Sequence, residues 1–271
     1  MSYNLLKGKR GIIFGALDSE SIAWKVAEQA YSEGATIVLT NAPVAIRMGA
    51  INQLAEKTNS QIIPADITSL EDLENLLKKS VDVLGGKIDF ILHSVGMSLN
   101  IRKGYHYTNS NYEWMAKGLD ISAMSFHKLM QTAMNLDVVN EWGSVVALSY
   151  VAAQRVFPDY GEMADSKAYL ESIARSFGYH WGVKKNIRVN TISQSPTPTT
   201  AGKGIKGFDG FINYAERMSP LGNATAHDCA LYVITLFSDL TRKVTMQNLF
   251  HDGGFSSVGI SERVMEHFSE K

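Results

Sequence analysis

Short runs of consecutive apolar residues, each followed by a segment of helical period, recur along the chain and constrain its fold more than any other feature. Gly11-Ile12-Ile13-Phe14 is the first run, and it ends at Gly15. A strand apolar on both faces belongs inside a parallel sheet that is covered by helices on both sides. Ser21 can cap the following helix, where Ile22, Val26 and Ala30 recur every four residues and Gly34 marks the end. Thr36 to Leu39, Ile62-Ile63, Ile88 to His93, Gly143 to Leu148, Ile187 to Ile192 and Asn248 to His251 read as six further strands. Ser69 with Asp72 resembles a capping box, opening a helix with Leu70, Leu73, Leu76, Leu77 and Val81 on one face. Further helices are expected within Asn111 to Asn135, from Asp159 to Gly182, and from a Thr225 cap to about Phe237.

This alternation predicts an α/β fold: one Rossmann-type, doubly wound parallel sheet of about seven strands with helices on both faces. No linker, repeat or low-complexity tract divides residues 1–271, so one domain is expected, with a substrate loop at about 194–218. The net charge of -1 argues against nucleic acid or an anionic membrane as partner. Cys229 is the one cysteine, so no intrachain disulfide can form; it sits in an apolar helical pattern and reads as core. Met1 to Arg10 lacks the apolar region of a signal peptide, and no apolar run approaches the ~18 residues of a membrane span. A cytoplasmic protein without a metal site is expected.

In such sheets ligands bind beyond the carboxyl ends of the strands, where the winding reverses. That rule selects Gly15-Ala16, Asn41-Ala42, Asp66-Ile67, Ser94-Val95-Gly96, Ser149-Tyr150 and Ser193 to Ala201. Gly15 precedes a helix whose free N–H groups can hold a phosphate. It is followed by Ser21 and Ala23 rather than by two further glycines, so the loop alone reads equally well as a plain turn. The second strand ends in Thr40-Asn41-Ala42-Pro43, with neither the acid that would hold an adenosine ribose nor an adjacent cation for a 2′-phosphate. NADH is favoured over NADPH. Asp66 can accept from an adenine amine or serve as a turn aspartate, and Gly96 lets a cofactor approach the backbone.

Tyr160 and Lys167 are seven apart, which on a helix places them on nearly the same face. An ammonium near a phenol lowers the phenol's pKa, and such a tyrosine can serve a substrate oxygen as hydride arrives. The pair alone is equally compatible with a helix that happens to hold both residues. Ser149-Tyr150 with Val151 to Arg155, followed by Tyr160-(six residues)-Lys167, resembles the bacterial enoyl-[acyl-carrier-protein] reductases, a divergent branch of the short-chain dehydrogenase/reductases. Ordinary members have tyrosine four before the lysine, where this chain has Met163, and a serine where it has Tyr150. Gly15-(five residues)-Ser21-Ile22-Ala23, His93 to Gly96, Asp120-Ile121-Ser122, Arg188 to Ser193, Ser219-Pro220-Leu221 and Asp252 to Phe255 resemble that family in order and spacing.

The resemblance implies hydride transfer from NADH to the β-carbon of a trans-2-enoyl thioester carried by an acyl-carrier protein, in a homotetramer. It implies that Lys167 binds the nicotinamide ribose, and that Tyr160 bonds the thioester carbonyl and stabilises the enolate. Tyr150 lines the acyl site, and Ser98 stands where the family contacts substrate. Gly15, Ser21, Ile22, Ala42, Asp66, Ile67, Ser94, Val95, Gly96 and the stretch Thr197, Pro198, Thr199, Thr200 and Ala201 are assigned to the dinucleotide. The chain departs from the family at Gln194-Ser195-Pro196, where Ala-Gly-Pro is usual, and in the carrier-docking cluster. There Lys206 is present, while Asp209 and Gly210 replace two cations and Lys203 or Arg217 are the substitutes. Gly202, Gly204 and Gly207 suit a mobile flap or a plain surface loop. Phe211, Ile212, Tyr214 and Met218 wall an acyl pocket or belong to the core, and Phe250 to Ile260 is a candidate subunit interface. A carbonyl reductase of the same fold and a catalytically silent dinucleotide sensor remain the alternatives.

Overall fold

A computed structural model describes residues 2–47, 50–200, 202 and 207–269. Among these, one sheet is formed by β1 (Arg10–Phe14), β2 (Thr36–Thr40), β3 (Gln61–Ile62), β4 (Ile88–His93), β5 (Val139–Ser149), β6 (Arg188–Gln194) and β7 (Asn248–His251). The order is β3-β2-β1-β4-β5-β6-β7, and every pairing is parallel. The helices are α1 (Ile22–Ser32), α2 (Pro43–Ile46), α3 (Ala50–Lys57), α4 (Leu70–Leu84), α5 (Leu99–Arg102), α6 (Tyr112–Leu119), α7 (Ser125–Asn135), α8 (Met163–Lys185), α9 (Phe208–Met218), α10 (Ala226–Phe237) and α11 (Glu262–Ser269).

The continuous apolar strands divide their side chains between two cores. Ile12, Phe14, Val38, Ile91, Val145, Ala147 and Val189 face α4, α7 and α8. Their neighbours in sequence, Ile13, Ile37, Leu39, Phe90, Leu92, Val146 and Leu148, face α1, α3 and α10. That period of two, with both faces covered, is why apolar residues follow one another along these strands. Leu73, Leu76, Leu77 and Leu84 of α4 are buried; each contributes about 1.5–3 kcal/mol by leaving water. Cys229 is buried on α10, as the apolar pattern implies.

Five local expectations change. The helix expected across 111–135 is interrupted: α6 gives way to a π turn at Asp120–Met124 before α7 begins. Strand β5 starts at Val139 rather than Gly143, across a register shift against β4 between Ile88 and Phe90. Ser21 occupies the N-cap of α1 but makes no cap bond; its hydroxyl donates to the Asp18 carbonyl at 2.7 Å. Ser69 forms half a capping box, because Asp72 bonds Asp66 N instead; Thr225 with Asp228 forms a complete one.

The fifth change concerns the tyrosine. Tyr160 is not on the helix with Lys167. It closes a 3₁₀ turn at Pro158–Tyr160, and α8 begins only at Met163. Between them Gly161 takes φ +49, a left-handed conformation that side chains resist. The helical-face argument for the pair therefore fails.

Candidate active site

The winding reverses between β1 and β4. Their register pairs Phe14 with His93, so Gly15 and Ser94 leave the sheet side by side. A Cβ on Gly15 would lie 1.9 Å from the Ser94 carbonyl oxygen, and Gly15 has φ +91. Only glycine fits there, which turns a bare strand-end glycine into the narrow point of a crevice. Asn41 closes the adjoining corner, its Nδ2 donating to the Ala16 carbonyl at 3.0 Å while its Oδ1 accepts from Ala42 N at 2.9 Å. Asp66 is exposed at the next strand end, with Oδ1 taken by Thr68 N and Thr68 Oγ1 at 2.9 and 2.7 Å. An adenine amine would therefore meet Oδ2. Ile67 is buried beside it.

On the other side of the crevice the loop after β6 lies over the opening. Thr200 Oγ1 donates to Asp18 Oδ2 at 2.6 Å, which ties this loop to the one after β1. The departure at Gln194-Ser195 is built into the support of that loop. Gln194 Nε2 donates to Thr197 Oγ1 at 3.3 Å and to the Ala224 carbonyl at 3.2 Å, while His251 Nδ1 lies 2.7 Å from Gln194 Oε1. Ser195 Oγ accepts from Ala224 N at 3.0 Å. Polar side chains thus hold the loop in place of a small-residue turn. Ala201, Lys203, Gly204 and Lys206 lie outside the described residues.

At the floor of the crevice Lys167 is buried, and its Nζ donates to the Leu148 carbonyl at 2.7 Å. An ammonium has three protons, so two remain for a ligand. Burial lowers its pKa to about 8, against which the Glu171 carboxylate one turn along α8 supports the charge. Glu171 is fixed in turn by Ser149 Oγ at 2.7 Å and Gln154 Nε2 at 3.3 Å. Sequence reasoning missed Glu171, although its spacing of four from Lys167 on a helix was a usable signal. His93 lies fully buried nearby, held neutral by burial and by the Lys167 charge with a pKa of about 3. A Cβ on Gly96 would come 3.8 Å from Lys167 Nζ and 3.3 Å from Met163 Cε, so the backbone there opens directly onto the lysine. The π turn presents Ser122 Oγ to Met97 N at 2.9 Å, holding the end of β4 in place.

Two residues beyond the Leu148 carbonyl that Lys167 holds, an aromatic group begins at Tyr150. The Tyr150 and Tyr160 rings are 4.9 Å apart, Phe157 lies 5.4 Å from Tyr150, and Phe211 of α9 meets Phe157 at 5.2 Å and Tyr150 at 6.1 Å. Phe255 closes the group against Phe157 at 6.1 Å. Phe211 is therefore wall, whereas Met218 is buried core and Tyr214 is half exposed. The Tyr150 hydroxyl is buried and meets no partner among the described residues. Burial pushes both phenols upward, with no lowering by Lys167. The expected phenolate is thus replaced by neutral phenols that donate hydrogen bonds. Ser98 is buried, with Oγ donating to Glu162 Oε1 at 2.5 Å and accepting from Ile101 N at 3.0 Å, so its hydroxyl is already committed.

A parallel sheet reversing at a glycine that admits no side chain, with a buried lysine at the reversal, defines a Rossmann-type dinucleotide reductase. The comparisons narrow that class. Residues 15–256 match the family described as Enoyl-(Acyl carrier protein) reductase. Enoyl-[acyl-carrier-protein] reductase [NADH] 2 of Rhizobium meliloti (strain 1021) is 32% identical over 255 residues, 93% of each chain. The crystal structure of the FabI–NADH complex from Alistipes finegoldii is 64% identical, with TM-score 0.96 over 97% of this chain and 93% of that one. The enoyl-[acyl-carrier-protein] reductase (NADH) structure from Aquifex aeolicus VF5 is 30% identical, with TM-score 0.87 over 94% of this chain and 99% of that one. The chain belongs to the enoyl-[acyl-carrier-protein] reductase family. That membership removes both alternatives, a carbonyl reductase and a silent sensor.

Proposed function

We propose that the chain reduces the double bond of trans-2-enoyl thioesters on an acyl-carrier protein, using NADH, in fatty-acid elongation. The observation that carries the reading is the unpartnered Tyr150 hydroxyl beside Tyr160, two residues beyond the Leu148 carbonyl that Lys167 holds. The residues present fit the dinucleotide: Gly15 leaves room where a side chain would collide, and Lys167 retains two free protons. Gly15, Ser21, Ile22, Ala42, Asp66, Ile67, Ser94, Val95 and Gly96 would line it from one side and Thr197 to Ala201 from the other. NADH, when bound, supplies hydride to the β-carbon of the thioester.

Lys167 would hold the ribose hydroxyls with the protons that the Leu148 carbonyl leaves free. Tyr160 donates to the thioester carbonyl oxygen. As the β-carbon is reduced that oxygen becomes an enolate, and a donor fixed there acts mainly in the transition state. A neutral phenol suits this task, because it gives a hydrogen bond where charge develops. Tyr150 shares the oxygen: an unpaired buried hydroxyl costs about 1–3 kcal/mol, which a substrate acceptor would relieve. The aromatic wall excludes water from the reacting carbons. Residues 194–218 form the substrate loop, with Lys206, Lys203 or Arg217 meeting the acidic carrier protein.

We further infer a cytoplasmic homotetramer, with Phe250 and Ile260, both exposed, at a subunit contact. No helix among the described residues is long and apolar enough to cross a membrane. Light scattering at four chain masses is expected; a single chain mass would overturn the assembly. The activity is tested by following NADH oxidation with a crotonyl thioester, and an absence of turnover with either nicotinamide cofactor would refute it.

A further inference from the structure

Glu162 is a carboxylate that is only 1% exposed, and it makes no ion pair among the described residues. Acidic side chains are almost never fully buried unless partnered. Its partners are neutral and come from far away in sequence. Ser98 Oγ donates to Oε1 at 2.5 Å and Asn100 Nδ2 donates to the same oxygen at 3.1 Å. Its place at the N-cap of α8 adds the favourable pole of the helix dipole. Asn100 carries the link onward, accepting from Asn111 N at 2.8 Å and donating to Asn111 O at 3.1 Å, and Asn111 caps α6. One buried polar network therefore joins α5, the start of α6 and the first residue before α8.

Tyr160 lies two residues before Glu162, with only the left-handed Gly161 between them. A glycine in that conformation is a hinge, and α8 begins too late to fix the phenol itself. Two contacts close the hinge, and both come from α5. Ile101 packs on Gly161, where a Cβ would meet its Cγ1 at 3.3 Å. Ser98 and Asn100 hold Glu162. We propose that Glu162 is a positioning residue, a buried hydrogen-bond clamp that fixes the direction of Tyr160 by locking its turn to α5. The clamp acts through Tyr160, so the inference rests on Tyr160 serving the thioester oxygen. Lys167 stands on the helix beyond the hinge and has its own anchor, the Leu148 carbonyl, with the Glu171 charge in support.

The test uses Glu162→Ala, Glu162→Gln and Tyr160→Phe in the full chain, each measured for turnover of a crotonyl thioester and for NADH binding. A misplacement near 1 Å can cost about a hundredfold, so Glu162→Ala is expected to lower kcat by about 10- to 100-fold with NADH Kd within about twofold of the parent. Glu162→Gln keeps an acceptor for Ser98 and Asn100 and should recover most of that loss. Added to Tyr160→Phe, Glu162→Ala should lower kcat no further, because coupled residues are not additive. Wild-type turnover in Glu162→Ala, a parallel loss of NADH affinity, full additivity with Tyr160→Phe, or a Gln variant no better than Ala would each overturn the clamp. If Glu162→Ala does not fold, Ser98→Ala removes the shorter of the two donors and carries the same expectations. Full activity in Tyr160→Phe would instead remove the role of Tyr160 and leave the clamp without a purpose.

Discussion

The two sides of the crevice are built in different ways. The side proposed for the dinucleotide is made of backbone at strand ends: Gly15 against Ser94, Asn41 against Ala16, Gly96 open onto Lys167. The substrate side is made of side chains from distant segments: Tyr150 after β5, Tyr160 on a 3₁₀ turn, Phe211 on α9, Phe255 after β7 and Glu162 clamped to α5. The first side inherits its geometry from sheet register. The second depends on packing, and it is where this branch of the fold can change its chemistry while keeping its cofactor.

If the division is real, single substitutions should separate turnover from cofactor binding. The largest expected effect is on the substrate side: Tyr160→Phe removes the donor at the enolate oxygen and should lower kcat by about 10²–10³, with NADH Kd unchanged. Loss of NADH affinity in that variant, measured by fluorescence titration, would merge the two sides. Lys167→Ala should do the reverse first. It removes charge-assisted bonds of about 1.5–3 kcal/mol, so NADH Kd should rise about 10- to 100-fold, with turnover falling as well. Tight binding in this variant would release Lys167 from the ribose.

A smaller effect is expected from Phe211→Ala. Aromatic pairs contribute about 0.5–1.5 kcal/mol beyond burial, so kcat/KM for the thioester should fall about 3- to 10-fold while NADH Kd holds. An unchanged kcat/KM would return Phe211 to the surface of α9 as a bystander. The smallest concerns pH. Burial lowers the Lys167 pKa to about 8, so the ammonium persists below that value and is lost as pH rises through it. NADH affinity should weaken about fivefold across that interval, since an uncharged amine makes the weaker bond. The same step should be absent from Lys167→Ala, and a step of equal size there would assign it to another group.

The same contrast explains what the sequence disclosed. Continuous apolar runs at β1, β2 and β4 left little freedom, because a strand buried on both faces has no other environment. The strand-end rule then located Gly15, Gly96 and Ser149-Tyr150 without reference to side-chain contacts. The helical reason offered for pairing Tyr160 with Lys167 fails: spacing of seven describes a helix, and Gly161 ends the helix before the tyrosine is reached. The π turn that presents Ser122 has no composition signature. Glu162 and Ser98 are 64 residues apart, so no local pattern could pair them. Glu171 was within reach of a spacing argument, while the support of Gln194 by His251 needs the β6–β7 pairing to be known.

The account requires the nicotinamide side to deliver hydride to the double-bond carbon farther from the thioester oxygen. Reduction of a crotonyl thioester with [4,4-²H₂]NADH, followed by mass spectrometry and NMR of the product, reads this out. Deuterium at the β-carbon of a saturated thioester is the predicted result. Deuterium at the α-carbon, or its appearance only when an acetoacetyl thioester is supplied and at the carbinol carbon of the product, would contradict it.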